Sequence, residues 1–303
     1  MVSISVLIVT YNQQDTIERA INSILIQKEW GLKRIIICDD CSKDNNWNVI
    51  NNLQSNYPEY IKCYRNNPNL GIYGNFQKLI SLRENADLYY ILAGDDVICN
   101  GLFEKVQNLV VEENVNMSNP IGFFFDFKTE NVDGSGRIFV NSAADSSKRL
   151  LSLYIRGLIT WRSSFFTEPV LAKFKDTPLN QGLNLAESIF DSQFFRFSEY
   201  KFYRSFVGSI YYTGVGVSST LSHQRSAYHT TEALKKYNYF KEHFDLSYSD
   251  RIFIKSQIFR IKWIQKFSLV AFVYSIILYC LGMFGYPKQM HSAKQFIKPL
   301  FLK

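Results

Sequence analysis

Residues 2–25, VSISVLIVTYNQQDTIERAINSIL, decide the fold. From Ser3 to Val9 the chain is a short, β-branched apolar run, the pattern of a strand covered on both faces in a parallel sheet. Behind it Ile17, Ala20, Ile21, Ile24 and Leu25 recur at helical spacing on one face, and Asp15 with Glu18 three positions later forms a capping box that predicts the helix start. A strand that feeds an amphipathic helix is a βα unit.

Working outward, the unit repeats. Arg34–Cys38 reads as a strand, Trp47, Ile50 and Leu53 mark a helix face, and Tyr60–Tyr64 is a further short strand. A Pro/Gly/Asn-rich loop, Asn66–Gly71, precedes a helix near Phe76, Leu79 and Ile80, and Leu88–Leu92 is strand-like. The alternation predicts an α/β fold, a mainly parallel sheet flanked by helices, with ligands beyond the carboxyl ends of the strands. After residue 100 the rhythm loosens into a helix over Leu102–Val111, an apolar strand at Ile121–Phe127 and a turn at Asp133-Gly134-Ser135-Gly136. Without an internal repeat or a low-complexity linker, residues 1–225 read as one domain and 226–303 as a helical, basic and partly apolar tail.

With 303 residues, 47% apolar and 16% aromatic against 20% charged, the composition is that of a globular chain and not of a disordered one. Five cysteines, an odd number, do not suggest a disulfide framework. Met1-Val2-Ser3 runs into the first strand without a basic region, so no export signal is read and a cytoplasmic, reducing compartment is expected. The net charge of +7 is crowded toward the C-terminus, which suggests an anionic partner. Beside those charges, Phe267–Tyr286 carries none and is as long as the ~20 residues a bilayer-crossing helix needs, so a membrane surface is expected and nucleic acid is not. Spanning, lying in the interface and packing as a core helix all fit the stretch. The basic flanks suit the inner, anionic face of a membrane.

Three polar clusters follow predicted strand ends: Thr10-Tyr11-Asn12, Asp39-Asp40-Cys41-Ser42 and Gly94-Asp95-Asp96. Asp95 and Asp96 suit a hard divalent cation, Mg²⁺ or Mn²⁺, whose remaining ligands a diphosphate supplies. Asp40 is placed to accept hydrogen bonds from a base edge, and Tyr11 offers an aromatic surface to the ring. Other chemistries fit less well. Cys38 and Cys41 have C-x-x-C spacing but lack a second pair for zinc, the first βα turn has no glycine for a dinucleotide, and no P-loop is present. His223 and His229 follow a Gly/Ser-rich stretch and read as loop histidines, and Lys235 and Lys236 as a charged helix face.

The four blocks VSISVLIVTYNQQDTIERAINSIL, IIICDDCSKD, NPNLGIYGNF and YYILAGDDV, in that order and spacing, resemble family 2 glycosyltransferases of the GT-A fold. The likeness is clear over roughly the first 110 residues and thins beyond 130. It implies an inverting, metal-assisted enzyme that moves a sugar from a nucleoside-diphosphate sugar to a hydroxyl acceptor. The acceptor it suggests is a glycan or a lipid-linked carrier in polysaccharide or glycolipid assembly. Carried over by position, it implies that Thr10, Tyr11, Asn12 and Asp40 contact the nucleoside, while Asn69, Gly71 and Asn75 shape the wall beside the sugar-phosphate. Asp95 and Asp96 stand where the family has its Asp-X-Asp signature, with Asp96 as the metal ligand; Gly94 replaces the first acid of the commonest form. An inverting transfer needs a general base, and AESIFDSQFFRF resembles the family's base segment, which points to Asp191, with Glu187 as its rival one helical turn earlier. A sugar-phosphate nucleotidyltransferase and an inactive membrane-docked binding protein are the other readings; the first lacks its expected Gly-rich loop.

Overall fold

A computed structural model describes residues 1–131, 133–140, 150–156, 162–174, 199–213, 225–266 and 268–283. They fall into two compact units. The first takes the described residues up to 140 with 162–174 and 199–213; the second takes 150–156 and the described residues from 225.

The first unit is built on β1 (Ile4–Thr10), followed by α1 (Ile17–Leu25), β2 (Leu32–Asp39), α2 (Asn46–Asn56), β3 (Ile61–Arg65), α3 (Gly71–Ser81) and β4 (Leu88–Ala93). Six of the seven residues of β1 are buried, as expected of a strand with helices on both sides. Ile17, Ala20, Ile21, Ile24 and Leu25 form the buried face of α1, so the helical spacing was read correctly. The capping box was not. Thr16 is the residue before the helix, no side chain caps it, and Thr16 N and Ile17 N both donate to Gln13 O, so the first turn is set by the backbone of Gln13. Thr16 Oγ1 donates to Gly94 O (3.0 Å) instead of serving the helix, and Asp15 and Glu18 stay exposed.

Beyond β4 come β5 (Val97–Ile98), α4 (Leu102–Glu112), β6 (Ile121–Asn131), β7 (Gly136–Phe139), β8 (Ser164–Thr167), α6 (Glu168–Phe174) and β9 (Glu199–Thr213), with α5 (Leu150–Ile155) in the second unit. Among the described residues the sheet runs β3-β2-β1-β4-β8-β6-β9-β5, with β7 against β6. It is parallel from β3 to β4 and mixed beyond: β8 pairs antiparallel with β4 and β6, whereas β6 and β9 are parallel. Phe123, Phe125 and Phe165 are fully buried on one side of this mixed half, and Phe165 meets Tyr90 (5.0 Å), Phe103 (5.9 Å) and Phe125 (6.2 Å) edge to face. This aromatic seam fixes the mixed half on the parallel half. The turn at Asp133–Gly136 closes the β6–β7 hairpin, and Gly134 takes the positive φ (77°) it requires.

The second unit holds α5 with α7 (Arg225–His243), α8 (Tyr248–Lys266) and α9 (Leu269–Gly282). Its core is Ile155, Phe240, Phe244, Leu246, Phe253, Ile254, Tyr279 and Met283. Arg156, fully buried, donates to Asp250 Oδ1 (2.5 Å), to Ser152 O (2.9 Å) and twice to Gly282 O (2.7 and 3.1 Å), tying α5, α8 and the end of α9 together. Among the described residues no helix is long and apolar enough to cross a membrane.

Candidate active site

The four parallel strands end on one edge. Thr10 pairs with Asp39, Val9 with Ala93, and Asp39 with Arg65. The segments that follow, Tyr11-Asn12, Asp40 to Ser42, Asn66 to Gly71 and Gly94 to Asp96, therefore leave the sheet side by side.

Buried amides set the height of this rim. Asn46, the first residue of α2, donates from Nδ2 to Asp39 Oδ1 (2.7 Å) and accepts from the Thr10 hydroxyl (3.2 Å). Asp39, fully buried, also accepts from Ser42 N (3.0 Å) and pairs with Arg65 Nε (3.3 Å), so it orients the loop after β2. That loop is laced to the one after β1: Asn12 N donates to Ser42 Oγ (2.9 Å) and Lys43 N to Asn12 Oδ1 (2.8 Å), with Asn12 in the left-handed region (φ 52°). Half-buried Tyr11 projects from the same turn.

Asp40 is almost fully buried, and its Oδ1 receives both Asn66 Nδ2 (2.9 Å) and Leu70 N (2.8 Å). Its Oδ2 takes no hydrogen bond among the described residues. Asn69 Nδ2 donates to Asp40 O (2.5 Å) while its Oδ1 accepts from Gly71 N (3.0 Å), where Gly71 adopts φ 72° to start α3. Asn75 accepts from Asn66 Nδ2 (3.0 Å) and donates to Cys38 O (3.0 Å). Thr10 and Asn75, expected at the nucleoside and beside the sugar-phosphate, are buried with their side chains bonded inside the protein, where they position the rim. Cys38 is equally enclosed. Burial, then the Asp40 charge, push its thiol up to about 12, which leaves the C-x-x-C spacing without a reactive thiolate at Cys38.

The acidic corner lies beyond β4. Asp96 is buried, accepts from Tyr212 N (3.1 Å), and is pushed up to about 8 by burial and then by the charge of Asp95. Burial also raises the half-buried Asp95, against the pull of its own backbone N–H, Arg162, Gln13 and Arg19. Arg19 Nη2 donates to Asp95 O (2.9 Å) while its guanidinium lies 3.8 Å over the Tyr212 ring; Arg162 lies 3.9 Å over Tyr211. At Gly94 a Cβ would stand 2.5 Å from Gln13 Oε1 and 2.8 Å from Ile17 Cδ1, so these side-chain ends would have to shift to admit one. Two adjacent carboxylates so crowded that one resists ionisation suit a hard dication, whose charge relieves the crowding. Among the described residues no group of three His, Cys, Asp or Glu side chains gathers to hold a metal unaided.

Asp191 and Glu187, expected as base and rival, lie outside the described residues, as does His223. The sequence reading missed Asn46 and Asn66, which look like ordinary polar residues in Asn-rich stretches. It also missed Arg19, Arg162, Tyr211 and Tyr212. Only Arg19 had a local signal, one helical turn beyond Asp15 on the polar face of α1.

The family model described as Glycosyl transferase family 2 matches residues 5–165. The chain belongs to this family. Its GT-A type fold is shared with the crystal structure of S. aureus TarS 1–349 in complex with UDP-GlcNAc, at TM-score 0.59 and 14% identity over 91% of this chain and 79% of that one. It is shared also with the mannosyltransferase PcManGT from Pyrobaculum calidifontis in complex with GDP-Man and Mn²⁺, at 0.53 and 10% over 99% and 80%. At such identities the likeness is one of fold. Abequosyltransferase RfbV of Salmonella typhimurium is 36% identical over 96 residues, 31% of this family 2 chain and 28% of the relative. The Escherichia coli UDP-Glc:alpha-D-GlcNAc-diphosphoundecaprenol beta-1,3-glucosyltransferase WfaP is 39% identical over 64 residues, 21% and 24% of the two chains. The match thus spans about a quarter of the length of these curated relatives.

Proposed function

We propose that this chain transfers a sugar from a nucleoside-diphosphate sugar to a hydroxyl acceptor, with inversion at the anomeric carbon. The observation that carries this reading is the meeting, on one strand edge, of Asp40, a carboxylate with one oxygen that takes no hydrogen bond among the described residues, and an acidic pair, Asp95–Asp96. Asp40 Oδ2 accepts from the base edge, Tyr11 faces the ring, and Asn12, Asn69 and Gly71 border the ribose and phosphates. Thr10 and Asn75 hold these groups in place. Asp96, with Asp95, would hold Mg²⁺ or Mn²⁺, which would supply positive charge against the negative charge of the departing diphosphate. Asp191 takes the acceptor proton.

The TarS and PcManGT complexes, with UDP-GlcNAc and with GDP-Man and Mn²⁺, support the donor class and the cation. WfaP is named for a diphosphoundecaprenol-linked acceptor, which supports a lipid-linked glycan as acceptor here and a place for the protein at the inner face of the cell membrane. A panel of nucleotide sugars, screened for cation-dependent release of nucleoside diphosphate, tests the reading. We expect Asp96→Ala to remove both turnover and cation dependence, and Asp191→Asn to stop transfer while donor affinity is kept. Undiminished transfer by both variants would refute the assignment.

A further inference from the structure

The α8–α9 hairpin carries a feature that sugar transfer does not use. Ala271, Ser275, Tyr279 and Gly282 form the buried face of α9. That face cannot rotate outward, because a Cβ on Gly282 would meet Phe253 Cα at 2.7 Å and Arg156 grips the Gly282 carbonyl. The opposite face is therefore fixed toward solvent, and it is wholly apolar: Leu269, Val270, Val273, Tyr274, Ile277 and Leu281, exposed from 46% at Val273 to 73% at Leu269. Patches of this kind on soluble chains mark interaction sites.

Charge identifies the partner. Residues 251–303 contain nine Lys or Arg and no Asp or Glu. On α8, Arg251, Lys255 and Lys262 are exposed at positions i, i+4 and i+11, a single line along the helix. Lys255 and Lys262 flank Phe259 on the helix surface, four residues before and three after it. Phe259 stacks on Tyr274 (ring centroids 5.7 Å), which Val270 and Ile277 flank in the same way. The stack thus sets the basic line of α8 edge to edge with the apolar stripe of α9. With its start capped by Ser268 Oγ and its 14 residues rising 1.5 Å each, about 21 Å in all, α9 is too short for the ~30 Å core of a bilayer.

We propose that the hairpin docks the chain on an anionic lipid surface, α9 lying in the interfacial plane with its outer face among the acyl chains and the α8 lysines at the headgroup phosphates. The proposal rests on the lipid-linked acceptor above for its purpose and not for its geometry. Full-length protein, without donor or acceptor, is sedimented with vesicles of phosphatidylcholine alone or mixed with phosphatidylglycerol. Binding to the mixed vesicles, weakening with salt, is expected. The double variant Val273→Asp/Ile277→Asp should lower it by about tenfold or more. Lys255→Glu/Lys262→Glu should lower it by about fivefold for each lysine, and this pair keeps the test decisive should the aspartates unfold the chain, as read by circular dichroism. No binding, equal binding to uncharged vesicles, or variants that bind as the wild type does would overturn the proposal. So would a dimer that the aspartates dissociate, because a second copy would then be what covers the face. Nucleotide-sugar turnover measured on the same samples separates the two readings: vesicle binding without turnover sinks sugar transfer alone.

Discussion

The two oxygens of Asp40 are held differently: Oδ1 accepts from Asn66 and the Leu70 N–H, and Oδ2 takes no hydrogen bond among the described residues. Removing the holder should therefore weaken recognition without removing the acceptor. Asn66→Ala is expected to lower nucleotide affinity by about tenfold, the worth of one buried hydrogen bond to a charged group, and Asp40→Ala by more. Calorimetric titration with the free nucleoside diphosphate reads both, and equal affinities for Asn66→Ala and wild type would show that the amide has no such role. Gly94→Ala presses a methyl group against Gln13 Oε1 and Ile17 at under 3 Å. We expect a stability loss of about 1 kcal/mol with reduced donor turnover, because the Gln13 side chain that would have to shift is also a hydrogen-bond partner of Asp95. Thermal melting and a turnover assay check the two effects separately.

At the scale of the element, α8 begins with the reciprocal cap that the sequence reading placed on α1. Ser247 Oγ accepts from Asp250 N (3.2 Å), and Asp250 Oδ2 accepts from Ser247 N (3.1 Å). Burial works against the Asp250 carboxylate, but hydrogen bonds from Ser247, Arg156 and Ser152 outweigh it and hold the group below the usual carboxylate range. A depressed folded value means that its stabilisation is complete above about pH 4 and fades as pH falls through the lower folded value. Asp250→Asn should destabilise the chain at pH 7 by about 3 kcal/mol, since Arg156 would be left buried and unpaired. The gap from wild type should narrow as the solution is acidified below that range, in urea melts run at each pH. The periodicity of β1, α1, β2 and β4 was legible because each buries a continuous apolar run or a single stripe, which local sequence records directly. Caps were less legible: S/T/D-x-x-D/E patterns are common, and the backbone turn at Gln13 decides where α1 starts. The placement of Asp40 and Asp96 just past strand ends was legible, because it follows from the strands themselves. The rim was not legible where distant segments complete it, since nothing local marks Arg162 or Tyr212 as neighbours of the acidic pair.

Each unit of the whole molecule has its own hydrophobic core, the first around β1 and the second around Phe240, Phe253 and Ile254. A ligand on the strand edge should therefore protect the first core directly. Nucleoside diphosphate at a hundred times its dissociation constant is expected to add about 2.7 kcal/mol to the protection of β1, β2 and β4 amides, read by hydrogen exchange. No added protection in those strands would show that the nucleotide binds elsewhere.

Parallel strands β1 to β4 are complete by residue 93, yet the Asp96 carboxylate is held by a backbone N–H 116 positions later, on Tyr212. A nascent chain emerging from the ribosome thus exposes the loops after β1 and β2 well before its acidic corner is finished. Chain closure over such a span is slow. A polypeptide released before β9 would lack the strand that seats Asp96.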